Sequence, residues 1–304
     1  MRFDVHVHLA AEPPQGELSD RFRRALGFRL MRWALPPGRD PTDAYRDALT
    51  NAASHSTQLD GVVVLALDRP YSEVGLPLPA QLFVPNTTAA AACGRSPRLW
   101  LGASVHPYRP DALEALDEAV ALGAVLCKWL PNVQGIDPAS PLCRRFYVRL
   151  RELGLPLLSH TGDEHTLPGP LQRLGELGRL APALAAGVTV IAAHAGCGGR
   201  TSAVEIADLC AREPRLFLEC AALWTPHRFR EMRRLLALPT LRDRWVYGSD
   251  YPVPVFWPWL WGSGSAALRA ARAETNPFDR RVLAALALGV PREALTRGAA
   301  LCRL

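Results

Sequence analysis

The chain has 304 residues, of which 49% are hydrophobic and 21% are charged, a composition ordinary for a globular protein and too apolar for a disordered one. The formal charge is +6, but the arginines are scattered among acidic residues and form no dense basic run, so we expect no nucleic-acid partner. No apolar stretch is long enough to cross a bilayer, and we recognise no signal peptide before the first strand. Seven irregularly spaced cysteines are typical of reduced thiols, and together these features predict a cytoplasmic protein.

Short apolar runs alternate with amphipathic stretches along the chain. The runs predict eight strands, at residues 3–8, 61–67, 99–106, 124–130, 155–160, 188–194, 216–221 and 245–250. Helical patterns lie between most of them, at 41–58, 111–122, 140–153, 169–185, 201–212 and 226–237. Strands that alternate with helices indicate parallel βα units, and eight of them predict an α/β fold of the (β/α)8 TIM-barrel type, with one domain over 1–304. A doubly wound open sheet is the alternative, although no glycine-rich nucleotide turn follows the first strand.

Three segments fall outside the repeat. Residues 12–40 hold four prolines and several arginines, and we expect a long loop or lid after strand 1. Residues 251–261 are rich in Trp and Pro, which leaves three interpretations open: the wall of an apolar pocket, packing on the barrel, or contact with a second subunit in a homodimer. From Pro277 onward the pattern predicts a closing pair of helices with a turn at Gly289-Val290-Pro291.

Polar side chains gather where the predicted strands end. His6 and His8 end strand 1, and because they are two residues apart both side chains point to the same side of the strand. His160, His194 and Asp250 end strands 5, 6 and 8. The carboxyl ends of barrel strands share one mouth, where active sites form. Imidazole and carboxylate donors at that mouth predict a divalent metal site, with zinc, manganese, iron or cobalt as the candidate ions.

Lys128 is the only lysine in the chain, against 34 arginines, and it lies in the apolar run of strand 4. A guanidinium is effectively always protonated, whereas a buried amine can lose its proton and act as a nucleophile or a base. A neutral amine can also take up CO2 to form a carbamate, which is a carboxylate on a long stem. The position therefore indicates a chemical role for Lys128.

Four further polar residues follow the strand ends without a clear role. His106, before Pro107, either supports the site or shapes a turn, and Arg109 either binds a substrate carboxylate or lies on the surface. Asp163 and His165 lie in the loop after strand 5, where substrate contact and simple solvation are both open.

The order of these residues resembles the amidohydrolase superfamily, and the resemblance covers essentially the whole chain. It rests on His6-Val7-His8, Lys128, His160, His194 and Asp250, on strands 1, 4, 5, 6 and 8. The segments Ile191–Gly196 and Tyr247–Pro252 are similar to the amidohydrolase-related branch (amidohydrolase 2). Leu295–Leu301 resembles its closing helix, although Ala299 stands where an asparagine is common.

The resemblance implies a binuclear centre in a metal-dependent hydrolase. His6, His8 and Asp250 would hold one ion, His160 and His194 the other, most simply two zinc ions, with a Lys128 carbamate bridging them. A bridging hydroxide would attack an amide, lactone, ester or phosphoester bond of a small molecule, and Asp250 would carry the proton.

Two other enzyme classes remain open. A non-oxidative decarboxylase of the same branch would use one metal, with His194 as an acid or base and an unmodified Lys128. A TatD-like nuclease is similar at His106-Pro107, but that family has a carboxylate at strand 4 where this chain has Lys128.

Overall fold

The computed structural model describes residues 1–25, 28–29, 41–257 and 265–304. Its centre is an eight-stranded sheet in which neighbouring strands are parallel and follow one another in chain order. The strands are β1 Phe3–His8, β2 Gly61–Leu65, β3 Leu99–Ala103, β4 Ala124–Trp129, β5 Leu157–His160, β6 Val190–Ala193, β7 Leu216–Glu219 and β8 Trp245–Val246. The TIM-barrel prediction is confirmed, and the doubly wound alternative is wrong.

The sheet closes between its first strand and the segment that follows β8. The amide of Val5 donates to the carbonyl of Tyr247, the amide of Asp250 to that of His6, and the amide of His8 to that of Tyr251. The β1–β2 register shifts between Asp4 and Val7, which marks a β-bulge in the stretch that contains His6. Such bulges re-aim side chains beside active sites.

The barrel helices lie close to the predicted positions. They are α1 Asp20–Arg24, α2 Pro41–Ser54, α3 Asn86–Cys93, α4 Ala112–Ala121, α5 Pro131–Gln134, α6 Arg144–Glu152, α7 Ala181–Ala185, α8 Ala203–Arg212, α9 Pro226–Leu236, α10 Ala266–Ala273, α11 Pro277–Ala287 and α12 Ala294–Leu301. The single helix predicted at 169–185 is wrong. Two 3-10 turns, Gln172–Gly175 and Leu177–Leu180, precede the short α7, because glycines and prolines interrupt the segment.

The closing helices α11 and α12 form the predicted pair and pack the chain end against the barrel. Gly298 of α12 lies so close to β1 and β8 that a Cβ there would sit 2.6 Å from Val5 Cγ1. A side chain at this position would push the helix off the strands.

The segments outside the repeat surround the barrel mouth. In the region 12–40, a short strand Glu17–Leu18 pairs antiparallel with Leu82–Phe83 and α1 follows it, while 26–27 and 30–40 lie outside the described residues. Of the 251–261 segment, residues 251–255 and 257 line a cavity, whereas 258–261 lie outside the described residues. The pocket-wall interpretation is confirmed for the described part, and the homodimer stays a prediction. Among the residues that the structure describes, no helix has the length and apolar character needed to cross a membrane.

Candidate metal centre

Three of the predicted ligands converge at the barrel mouth. Within the described ranges, His6, His8 and Asp250 each offer one ligand atom, and these atoms lie within 4.8 Å of one another. His8 Nε2 is 3.1 Å from Asp250 Oδ1, and His6 Nε2 is 3.1 Å from His8 Nε2 and 3.5 Å from the same carboxylate oxygen. Two imidazole nitrogens and one carboxylate oxygen at this spacing fit a divalent ion such as zinc or manganese.

Two of the predicted ligand residues, Asp250 and His194, have backbone dihedrals in the left-handed region. Asp250 has φ of 59° and His194 has φ of 63°, a conformation that few residues other than glycine adopt. The amide of Asp250 bonds to the carbonyl of His6, so the turn that ends β8 is tied to β1. Unusual backbone of this kind clusters at functional sites, where the surrounding structure imposes it.

Lys128 is fully buried inside the barrel and contacts the first ligand. Its Nζ lies 3.0 Å from His6 Nε2. Burial lowers the pKa of Lys128 to about 8, against the attraction of Asp250 and Glu219. The hydrogen bond occupies the lone pair of His6 that an ion would need, so an unmodified Lys128 competes with a metal for that nitrogen.

His160 ends β5 and His194 directly follows β6, on the two strands that come after the Lys128 strand in the sheet. Their ring centroids are 4.7 Å apart, and the ring of His194 is 5.4 Å from that of His6. His160 Nε2 is buried and has no hydrogen-bond partner in the described part of the chain. Burial lowers the pKa of both imidazoles well below the usual value, which keeps them in the neutral form that binds metals.

The described residues offer fewer ligand atoms to a second ion than to the first. Among the described residues, His160 and His194 do not join a third His, Cys, Asp or Glu in a comparable group. Two imidazoles alone are a sparse ligand set for a second ion.

Glu219, which ends β7, is a site residue that the sequence pattern did not indicate. Its fully buried carboxylate lies 3.3 Å from His6 Nδ1 and accepts from the amides of His194 and Ala221. Gly248 gives it room, because a Cβ there would lie 1.9 Å from Glu219 Oε1. Burial raises the pKa of Glu219, and the His194 amide opposes that rise.

Above the ligands lies a cavity of about 540 Å³. His8, His160, His194 and Asp250 line it, together with an apolar wall that consists mainly of Leu9, Leu18, Phe22, Phe28, Leu67, Leu82, Leu130, Val253, Val255 and Trp257. The cavity is large enough for a small organic molecule.

A second missed residue, Arg228 near the start of α9, carries positive charge into this cavity wall. Its side chain is buried, with Nη2 donating to the Asp163 carbonyl, and Nε has no partner among the described residues. Arg281 also lines the cavity, but its two terminal nitrogens donate to the carbonyls of Pro277 and Val253. Arg228 is therefore the better placed of the two to bind a substrate anion.

His106 and Arg109 have structural partners. His106 Nε2 lies 3.0 Å from the carbonyl of Gln134, and its Nδ1 accepts from the amide of Tyr108, so this histidine shapes the turn. Arg109 donates to Asp111 and to the buried Asp68. These contacts favour the turn and ion-pair interpretations over a place in the site.

Residues of the loop after β5 anchor or contact side chains of the candidate site. The carbonyl of Asp163 anchors Arg228, and the exposed His165 stacks edge-on against His227 with ring centroids 4.6 Å apart. Glu164, which lies between Asp163 and His165 in the chain, lines the cavity, and its Oε2 lies 3.7 Å from His160 Nδ1.

The barrel and the ligand triad at its mouth define a TIM-barrel protein with a candidate metal centre. The sequence profile of the amidohydrolase family (Amidohydro_2) matches residues 3–295, and the chain belongs to this family. No curated protein matches the chain.

Solved structures share the fold over nearly the whole chain. An uncharacterized TIM-barrel protein from Bordetella bronchiseptica has a TM-score of 0.63 and 15% identity, and the match covers 99% of this chain and 98% of that one. A probable 2-pyrone-4,6-dicarboxylic acid hydrolase from Acinetobacter baumannii has a TM-score of 0.56 and 12% identity, with coverages of 98% and 97%. A 5-carboxyvanillate decarboxylase from Sphingomonas paucimobilis has a TM-score of 0.52 and 11% identity, with coverages of 97% and 98%. At these identities the likeness establishes the fold alone.

Proposed function

We propose that this protein is a metal-dependent hydrolase of a small molecule with an apolar body and an acidic group. The observation that carries the proposal is the convergence of His6, His8 and Asp250 within 4.8 Å, beside a largely apolar cavity that His8 and Asp250 line. A divalent ion held there would acidify water and polarise a carbonyl or phosphoryl group.

Lys128 would help to bind a second ion, together with His160 and His194. As a positively charged ammonium, Lys128 donates to His6 Nε2 and competes with an ion for that ligand atom. As a carbamate it would lose that positive charge and supply two oxygens to the incomplete second ligand set. Its full burial and a pKa of about 8 leave a fraction of neutral amine at mildly alkaline pH, which is the form that reacts with CO2.

The chain's own groups account for the proton transfers of hydrolysis. Water adds its oxygen to the carbonyl carbon or phosphorus, and the bond to the leaving group breaks. Asp250, which borders the cavity, takes the proton from the attacking water and passes it to the leaving group. The apolar wall excludes bulk water and holds the substrate body.

Arg228 would orient the acidic group of the substrate. A carboxylate placed against it gains a charge-assisted hydrogen bond and satisfies the buried Nε that lacks a protein partner. The cavity volume of about 540 Å³ favours such a small molecule over a nucleic acid.

A one-metal decarboxylase is the second candidate. It is favoured by the cation of Arg228 in the cavity wall, since decarboxylation needs a substrate carboxylate held near the site. The 5-carboxyvanillate decarboxylase that shares the fold supports this candidate by analogy.

A paired assay separates the two. The zinc- or manganese-loaded protein is offered lactones, esters and amides of aromatic acids, with proton release as the readout, and the parent aromatic acids, with CO2 release as the readout. We expect proton release that is lost in Asp250→Asn. CO2 release alone would replace the hydrolase with the decarboxylase, and neither signal in a metal-loaded protein over a broad panel would count against both.

A further inference from the structure

The end of β7 contacts two of the proposed ligands without supplying one itself. Glu219 lies against His6, and Ala221, two residues later, lies against His194. We infer that the segment Glu219–Ala221 is a positioning device that fixes both imidazoles as Nδ1–H tautomers, so that each presents Nε2 to a metal ion. This inference rests on the proposed metal centre and extends it to residues outside the ligand set.

The tautomer of His194 follows from its partner. His194 Nδ1 lies 3.0 Å from the carbonyl oxygen of Ala221, and a carbonyl oxygen only accepts hydrogen bonds. The proton of the neutral ring must therefore be on Nδ1. The lone pair of Nε2 is then available at the cavity, which His194 lines.

Contacts at both ring nitrogens favour one tautomer of His6. As an ammonium, Lys128 carries only donors, and its Nζ at 3.0 Å from His6 Nε2 is closer than the Asp250 carboxylate oxygen at 3.5 Å, so Nε2 accepts. Nδ1 must then carry the proton, and it donates to Glu219 Oε2 at 3.3 Å.

Glu219 also connects the two histidines through hydrogen bonds. The same Oε2 atom accepts from the backbone amide of His194 at 3.2 Å, while Oε1 accepts from the amide of Ala221 at 2.7 Å. One carboxylate thus holds the ring of His6, the backbone of His194 and the residue whose carbonyl orients the ring of His194. Displacing it would misalign ligands of both proposed ions.

Close packing leaves the Glu219 side chain little room to move. The residue is fully buried, and the Cα of Gly248 approaches so closely that any side chain there would overlap Oε1. A carboxylate behind a metal-binding histidine raises the basicity of the ligand and fixes its orientation, and removing such a partner commonly costs about 10- to 100-fold in metal affinity.

The test is the zinc affinity of Glu219→Gln, measured by competition with a chromogenic chelator on metal-free protein. The amide keeps the shape but loses the charge and one acceptor oxygen, so we expect affinity about 10- to 100-fold weaker than wild type. Asp68→Asn is the matched control, because Asp68 is also a buried carboxylate that accepts backbone and arginine donors, but its contacts are His106 and Arg109. We expect wild-type zinc affinity in the control, even if its thermal stability falls.

A second measurement needs no variant. In metal-free wild type at neutral pH, nitrogen-15 correlation spectra should show His6 and His194 as neutral rings protonated on Nδ1. A proton on Nε2 of either ring, or equal zinc affinity in Glu219→Gln and wild type, would overturn the inference. Absence of zinc binding in wild type would instead overturn the proposed function, so the two failures are distinguishable.

Discussion

Lowering the pH should remove a defined share of the stability through His106. In the folded chain this ring donates from Nε2 to Gln134 and accepts at Nδ1 from Tyr108, so protonation breaks the second bond and charges a fully buried ring. Burial lowers the pKa of His106 from 6.5 to about 4. A folded pKa below the unfolded one means that the unfolded chain binds the proton more readily, so stability is fully present above about pH 6.5 and is lost as the pH falls toward 4.

The magnitude follows from the shift. At 1.36 kcal/mol per pKa unit, the full window is worth about 3 kcal/mol, of which about 2 kcal/mol is lost by pH 5. The assay is urea unfolding of metal-free wild type and His106→Gln at pH 7.5 and pH 5. The other buried groups titrate in both proteins and cancel in the difference, provided that they are not coupled to residue 106. We expect the stability advantage of wild type to shrink by about 2 kcal/mol at pH 5, and an unchanged advantage would refute the structural role of His106.

Three substitutions test the proposed site. Lys128→Ala should lower the number of bound ions per chain and abolish activity, with partial rescue by short carboxylates; normal metal content would count against a bridging ligand. Asp250→Asn should lose at least about 100-fold in turnover with the fold intact by circular dichroism, and full activity would exclude the proton transfer. Arg228→Met should raise KM for acidic substrates about 10- to 100-fold and leave a neutral ester analogue unaffected, whereas an equal effect on both would indicate a packing role.

The barrel was predictable because its signals are local. Each strand is a short apolar run, and the parallel topology gathers all carboxyl ends at one mouth, so His6, His8 and Asp250 could be placed together without any coordinates. The limits of the elements were less predictable: strand 8, predicted over 245–250, forms a ladder only at Trp245–Val246, and the residues after it reach β1 through single hydrogen bonds.

Glu219 and Arg228 could not be assigned from sequence because their roles depend on tertiary placement. In the sequence, the signal for Glu219 is a single acidic residue at the end of the apolar run Leu216–Glu219. Its role in supporting a metal ligand becomes visible only when the fold brings His6 and Gly248 close to it. Arg228 is one of four arginines in α9, and only the packing of the helix start against the cavity shows which of them is buried.

The metal content of the protein, together with carbon-13 labelling of Lys128, tests the central claim most directly. The protein is loaded with zinc in the presence of labelled bicarbonate, the ions per chain are counted by mass spectrometry, and the labelled carbon is sought by nuclear magnetic resonance. We predict two ions per chain and a carbamate signal that is absent in Lys128→Ala. One ion and no labelled carbon would contradict the binuclear hydrolase and favour the decarboxylase.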